Sequence, residues 1–230
     1  MLHIDELHVR YGGIHGVEGV SLSIERGETV ILIGANGAGK SSIINAVMGL
    51  VRPVAGEIRL DGQRIDILRP EVRNTLGIAY SPEGRRLFGT MNVEDNVLSG
   101  MVRFNTRARR DRYAELVRLF PLLKEKRGVP GGLLSGGQQQ IVAVARSMAA
   151  RPRLLLLDEP FLGLAPIWIE QISTAIRAAK AEGATVLMAE QMARPALRLA
   201  DRGYVIRGGK IRASGATSEF GEAILAEQYL

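Results

Sequence analysis

Residues 29–42, "TVILIGANGAGKSS", constrain the fold of this chain more than any other stretch. "TVILIG" is a near-continuous apolar run, the pattern of a strand buried on both faces of a sheet. It leads into Gly34-Ala35-Asn36-Gly37-Ala38-Gly39-Lys40-Ser41, a complete G-x-x-x-x-G-K-S, and a helical pattern follows to about Leu50. Strand, glycine-rich turn and helix in that order make a cradle whose backbone N–H groups close around a phosphate. The motif predicts Lys40 on the β- and γ-phosphate oxygens and Ser41 on Mg²⁺. Gly34, Asn36, Gly37, Gly39 and Ser42 complete the expected cradle. A chance glycine-rich turn is the alternative, and the flanking strand and helix argue against it. The expected fold is that of a nucleoside triphosphatase or kinase.

The rest of the chain alternates strands and helices around this point. With 230 residues and 46% hydrophobic content it is long enough to bury one real core. Residues 2–10 and 20–24 alternate apolar and polar, as half-buried strands do. "GEIRLDGQRI" at 56–65 carries Asp61-Gly62, a hairpin signal. Strands are also expected at 77–81, 153–159 and 184–190. From about 92 to 150 amphipathic helices take over, with Tyr113, Leu116, Val117 and Phe120 on an apolar face. "YVIRGGKIRASG" reads as a second hairpin around Gly208-Gly209, followed by a C-terminal helix. The expectation is one α/β domain over 1–230. It combines a phosphate-loop (P-loop) NTPase core, an antiparallel β sub-domain, and a helical sub-domain inserted at about 92–150.

Composition narrows the function. No apolar run approaches the ~20 residues needed to span a bilayer, and "MLHIDELHVRYGG" carries acids without an apolar signal core, so secretion is not expected. The absence of cysteine excludes disulfides, cysteine zinc sites and thiol catalysis. The formal charge of +6 is concentrated only at "RARRDR", 107–112, which reads as a solvated basic surface rather than a nucleic-acid interface.

Two further motifs carry chemistry. Asp158-Glu159 follow four leucines, so a buried strand delivers them to its C-terminal edge. There Asp158 can anchor Mg²⁺ and Glu159 can polarise a water aimed at the γ-phosphate. A strand ending in solvated acids is the plain alternative; a kinase has little use for the second acid. "LLSGGQQQ" at 133–140 puts Ser135 and a glycine pair at a helix start, leaving unshielded backbone N–H groups suited to an anion.

Phosphate loop, "LLSGGQQQ" and "LLLLDEP" in this order resemble the nucleotide-binding domain of ATP-binding cassette (ABC) transporters over essentially the whole chain. The resemblance implies ATP and Mg²⁺ as cofactors and two such domains paired head to tail. Ser135, Gly136, Gly137 and Gln138 would then cap the γ-phosphate held by a partner's phosphate loop. Tyr11 matches the aromatic that stacks on adenine in the family; one more strand aromatic is the alternative. "AYSPEGRRLFGTMNVEDN" at 79–96 occupies the loop that carries a Gln touching Mg²⁺ and the attacking water. Aligning on Phe88 and Val93 puts Glu83 there, a carboxylate that can ligate Mg²⁺ but adds negative charge. All three histidines lie at positions 3, 8 and 15, so the family histidine after the strand following Glu159 is absent. Gln191 takes its place; an amide can donate to a phosphate oxygen but carries no positive charge. Capping the following helix is the alternative role for Gln191. "FLGLAP" at 161–166 lacks the Asp that many members carry near Ala165 to contact the partner.

"PEGRRLF", "EP-x-LGLAP" and "EQ" before a helix are similar to the LivF-type ATPase of branched-chain amino acid uptake systems. That likeness implies an ATP-hydrolysing subunit powering import of branched-chain or related amino acids. It would pair with a sister ABC ATPase or itself, at the cytoplasmic face of the cell membrane. Its other partners would be two transmembrane permease subunits and an external substrate-binding protein, with no nucleic acid. Amide and urea importers share the ATPase type. Non-transport ABC ATPases of DNA repair or translation usually carry a long coiled-coil insertion or two cassettes, and this chain carries neither.

Overall fold

In the computed structural model, residues 1–220 are described; the helix expected at the C-terminus lies outside the described residues. The chain runs through β1 (Leu2–Tyr11), β2 (Ile14–Ile24), β3 (Thr29–Ile33), α1 (Lys40–Met48), β4 (Ala55–Leu60), β5 (Gln63–Arg64), α2 (Pro70–Thr75) and β6 (Ile78–Ser81). Four α-helices follow without a strand between them: α3 (Val93–Leu98), α4 (Thr106–Leu119), α5 (Leu122–Glu125) and α6 (Gly136–Met148). Then come β7 (Leu154–Asp158), α7 (Pro166–Ala181), β8 (Thr185–Glu190), α8 (Ala193–Leu197) and the hairpin β9 (Arg202–Arg207) and β10 (Lys210–Ala216).

The strands form two sheets. The larger has the order β10-β9-β3-β8-β7-β6, parallel except for β10 at one edge. Strands β3, β7 and β8 are buried at every position, because both faces of the sheet are covered. Val30, Leu32, Leu154 and Leu156 point into one apolar cluster with α1 and the smaller sheet. Ile31, Ile33, Leu155 and Leu157 point into the other, with α6, α7 and the helices before them. Alternation along each strand produces this split.

The smaller sheet is antiparallel, in the order β2-β1-β4-β5. Both expected two-residue turns are present. Asp61 and Gly62 have φ of 48° and 82°, and Gly208 and Gly209 have φ of 56° and 73°, the left-handed pair a tight hairpin needs. Strand β2 begins at Ile14 instead of residue 20. Exposed Ile14 and His15 and the glycines at 16 and 19 break the apolar alternation that marks its second half.

Two contacts fix the sheets around the phosphate loop. Glu18 N–H donates to the Gly209 carbonyl at 2.8 Å, and Gly209 N–H donates to the Ala38 carbonyl at 2.9 Å. At the other end of α1, Arg73 is 1% exposed. Its guanidinium donates to the carbonyls of Ala46, Val47, Leu68 and Asp66 at 2.5–3.0 Å. Burial holds its pKa below the usual guanidinium value, yet the carbonyl cage satisfies the fork. Arg73→Ala strips donors from four carbonyls and is expected to lower the unfolding free energy by about 3 kcal/mol. Urea denaturation measures this; a wild-type midpoint would contradict it.

Candidate functional site

The phosphate loop leaves the C-terminal end of β3 and turns into α1 at Gly39, whose φ of 110° makes it a left-handed N-cap. A Cβ on Gly39 would stand 2.5 Å from the Gly16 carbonyl oxygen, so both conformation and contact require glycine. No side chain caps α1, and its first-turn N–H groups have no acceptor within the helix. Lys40 is 3% exposed. Its Nζ donates to the carbonyls of Gly34 and Ala35 at 2.9 and 3.1 Å and lies 3.2 Å from Glu159 Oε1.

Asp158 ends β7. Ser41 Oγ donates to its Oδ1 at 2.9 Å, and the Tyr80 hydroxyl lies 3.3 Å from its Oδ2 and 3.1 Å from Asn45 Oδ1. Burial pushes the Asp158 carboxyl up to about 6, helped by the charges of Glu83 and Glu159 and opposed by the Ser41 and Tyr80 hydroxyls. Glu83 is exposed in the loop after β6, close enough for its charge to add to the rise at Asp158. A divalent cation would offset this desolvated charge. Among the described residues no group of three or more His, Cys, Asp or Glu could hold a metal alone. A hydroxyl beside one carboxylate suits Mg²⁺, which takes most of its ligands from phosphates and water.

Glu159 turns the chain off the strand in a left-handed conformation, φ 48°, rare for a residue with a side chain. Its N–H donates to the Ala189 carbonyl at 2.9 Å, so β8 holds it in place. Gln191 immediately follows β8. The N-cap of α8 is Met192, with no side-chain cap, and Ala193 N–H donates to the Gln191 carbonyl at 2.9 Å, so Gln191 meets the helix start through its backbone. Glu190, buried at 1% exposure, accepts from Phe161 N–H at 2.7 Å and Met192 N–H at 3.2 Å. Burial pushes its carboxyl up to about 7, against the donations of Phe161, Met192 and Gln191 N–H groups.

Tyr11, 44% exposed, ends β1 beside α1. Its ring and Ser42 Oγ both stand 2.9 Å from where a Cβ on Gly16 would be. The structure thus brings Tyr11, the phosphate loop, Asp158, Glu159, Glu83 and Gln191 to one edge of the larger sheet.

Ser135–Gln138 are elsewhere. Ser135 is the N-cap of α6, its Oγ accepting from Gln138 N–H at 3.5 Å, while Ser135 N–H donates to Gln138 Oε1 at 3.0 Å. This capping box shields the Gln138 amide, one of the N–H groups expected to be open; the amides of Gly136 and Gly137 have no side-chain cap. S-x-x-Q before an apolar run is the sequence signal for such a box. A Cβ on Gly136 would meet the Arg85 guanidinium at 2.7 Å, and one on Gly137 the Trp168 indole at 2.7 Å. Arg146 of α6 lies 5.6 Å over the Phe88 ring and donates to the Arg85 carbonyl at 3.3 Å. The loop carrying Glu83 is thereby tied to α6. Among the described residues, no hydrogen bond or salt bridge joins 34–42 to 135–138.

A phosphate cradle at the C-terminal edge of a mostly parallel sheet, with paired acids on a nearby strand, defines an ATPase of the P-loop NTPase class. The sequence model of the ABC transporter family matches residues 17–162, and the chain belongs to that family as an ATP-binding domain. It is 42% identical to the high-affinity branched-chain amino acid transport ATP-binding protein BraG of Pseudomonas aeruginosa, over 92% of this chain and 91% of that protein. It is 36% identical to the lipopolysaccharide export system ATP-binding protein LptB of Escherichia coli, over 91% and 88%. Among solved structures, it resembles a dimeric ATP-binding cassette in a post-hydrolysis state bound to ADP and Pi. The TM-score is 0.86 at 25% identity, over 96% of this chain and all of that one.

If Gln191 donates to the transition state, Gln191→Ala is expected to lower kcat by about 10²- to 10³-fold while changing ATP affinity little. Gln191→His is expected to be tolerated, and the wild type to show no histidine-like pH limb from this position. A wild-type kcat in Gln191→Ala would assign the γ-phosphate contact elsewhere.

Proposed function

We propose that this chain is the LivF-type ATPase subunit of an importer for branched-chain or related amino acids. The observation that carries the ATPase mechanism is the convergence of Lys40, Ser41, Asp158 and Glu159 on one sheet edge, with the Ser135–Gln138 helix start standing apart. Lys40 exchanges Glu159 for the β- and γ-phosphate oxygens when ATP enters, a charge-assisted contact it is already pointed to make. Ser41 and Asp158, with Glu83 beside them, would hold Mg²⁺, which when bound would supply neutralisation of phosphate charge. Glu159, released from Lys40, orients and polarises the attacking water, and Gln191 hydrogen-bonds a γ-phosphate oxygen. Tyr11 stacks on the adenine.

Ser135, Gly136, Gly137 and Gln138 serve a second cassette. They complete the site formed by a partner's phosphate loop, so that ATP lies between two chains and hydrolysis releases them. Likeness to a dimeric cassette supports this arrangement. The partner is a sister ABC ATPase or a second copy. No helix among the described residues is long and apolar enough to cross a membrane, and the chain is placed peripherally at the cytoplasmic face by two permease subunits. A groove of about 380 Å³ lined by Leu50, Tyr80, Arg86, Phe88 and Arg146 is suited to a permease segment, beside the loop that carries Glu83. An external binding protein delivers the substrate.

The cargo reading rests on the likeness to BraG. Lys40→Ala is expected to abolish ATP binding or hydrolysis; equal affinity and turnover in the variant would remove the phosphate-loop role. In the reconstituted complex, leucine-loaded binding protein is expected to stimulate ATP hydrolysis. Stimulation by urea or an amide instead, with leucine inert, would move the chain to the related importer class.

A further inference from the structure

Glu190 is a buried acid; "EQ" marks its place in the sequence but gives it no role. Its two carboxylate oxygens are divided between two chain segments. Oε1 accepts from Phe161 N–H at 2.7 Å, and Oε2 accepts from Met192 N–H at 3.2 Å. Phe161 lies two residues beyond Glu159, and Met192 is the neighbour of Gln191. Strand β8, which Glu190 ends, stands between β3 and β7 in the sheet. Its exit therefore lies between the phosphate loop and the Asp158-Glu159 pair. Glu159 sits in a left-handed conformation at a sharp strand exit, a conformation that persists only when surrounding contacts over-determine it. Backbone pairing to Ala189 is one such contact. The Lys40 ion pair and the Leu162 N–H bond to the Glu159 carbonyl are others, and the Glu190–Phe161 bond holds the far side of the turn.

From this geometry we infer that Glu190 is a positioning residue that clamps the Glu159 segment to the Gln191 segment, fixing the two reactive side chains relative to each other. The clamp depends on both oxygens being acceptors. A carboxylate satisfies two facing N–H groups, whereas a side-chain amide presents one oxygen and one NH₂. In Glu190→Gln, a donor is turned against either Phe161 N–H or Met192 N–H, and one arm opens without any change of volume. A buried position gives that arm no water to replace it. The inference rests on the proposed roles of Glu159 and Gln191. It differs from them in needing no contact between Glu190 and nucleotide.

The test uses the complete transporter complex and five chains: wild type, Glu190→Gln, Glu159→Gln, the double variant, and Glu190→Asp as the conservative replacement. Glu190→Gln is expected to lower kcat by about 10- to 100-fold, as misplacement of a reacting group does, with the KM for ATP within about twofold of wild type. Glu190→Asp, which keeps both acceptors, is expected to recover part of the rate. The double variant is expected to turn over no more slowly than Glu159→Gln, because both changes disable one unit. A wild-type kcat in Glu190→Gln, or a lower thermal midpoint with unchanged turnover per folded molecule, overturns the clamp. So does a double variant slowed by the product of the two single effects. A slow Glu159→Gln beside a fast Glu190→Gln removes the clamp and leaves the base reading intact. A wild-type rate in Glu159→Gln removes the base reading, and Glu190 as its support with it.

Discussion

Lys40 is a buried ammonium held between two backbone carbonyls and the Glu159 carboxylate, and the arrangement of the site depends on that placement. Taking two charges out of water is costly, and their attraction offsets the cost only where geometry and further hydrogen bonds are good. Each partner arrives by a different route. The β3 exit supplies Gly34 and Ala35, the left-handed Gly39 aims Lys40 back across the loop, and the β7 exit supplies Glu159. The parallel sheet keeps these exits on one edge. Both groups are buried, and the ion pair offsets the cost of desolvating them; in the proposed mechanism ATP would give Lys40 another partner and free the acid.

The same economy governs Asp158. Its carboxyl is buried and close to other acids, so it is pushed up to about 6 with only hydroxyl donors to oppose the shift. Such a group is poised for a cation. The neighbouring strand ends in a second buried carboxylate, Glu190, answered by backbone N–H groups instead. Burial raises both carboxyls, Asp158 to about 6 and Glu190 to about 7, but Asp158 is met by side-chain hydroxyls and Glu190 by backbone N–H groups of two chain segments. That contrast separates a group suited to binding from one suited to holding position.

Local motifs made much of this legible. The strand-loop-helix order around Lys40, the four leucines before Asp158, and the Asp61-Gly62 and Gly208-Gly209 turns are each complete within a short window, because their physics is local. The partners of Tyr80 and of Glu190, the Glu of the "EQ" pair, were not legible, since Tyr80 meets Asp158 from 78 residues away and Glu190 meets Phe161 from 29. Arg73 and Arg146 escaped for the same reason: a buried arginine reads as a surface charge until the carbonyls and ring around it are known. The capping box of Ser135 and Gln138 was visible as S-x-x-Q, but the glycines between them drew attention to an open anion site. The start of β2 was hidden because its first residues are exposed and do not alternate.

The central proposal is that two separated surfaces on one chain, the phosphate loop and the Ser135–Gln138 helix start, are each half of a site completed by another chain. The absence of cysteine from the sequence makes engineered thiols unique markers for it. Cysteines replacing Asn36 and Ser135 would be oxidised in the assembled complex, with the matching pair in a sister ATPase where one is present, with and without ATP. The expected product is an ATP-dependent disulfide between chains, from one phosphate loop to the other chain's α6 start, at twice the single-chain mass. A disulfide within one chain, at single-chain mass and indifferent to ATP, would contradict it.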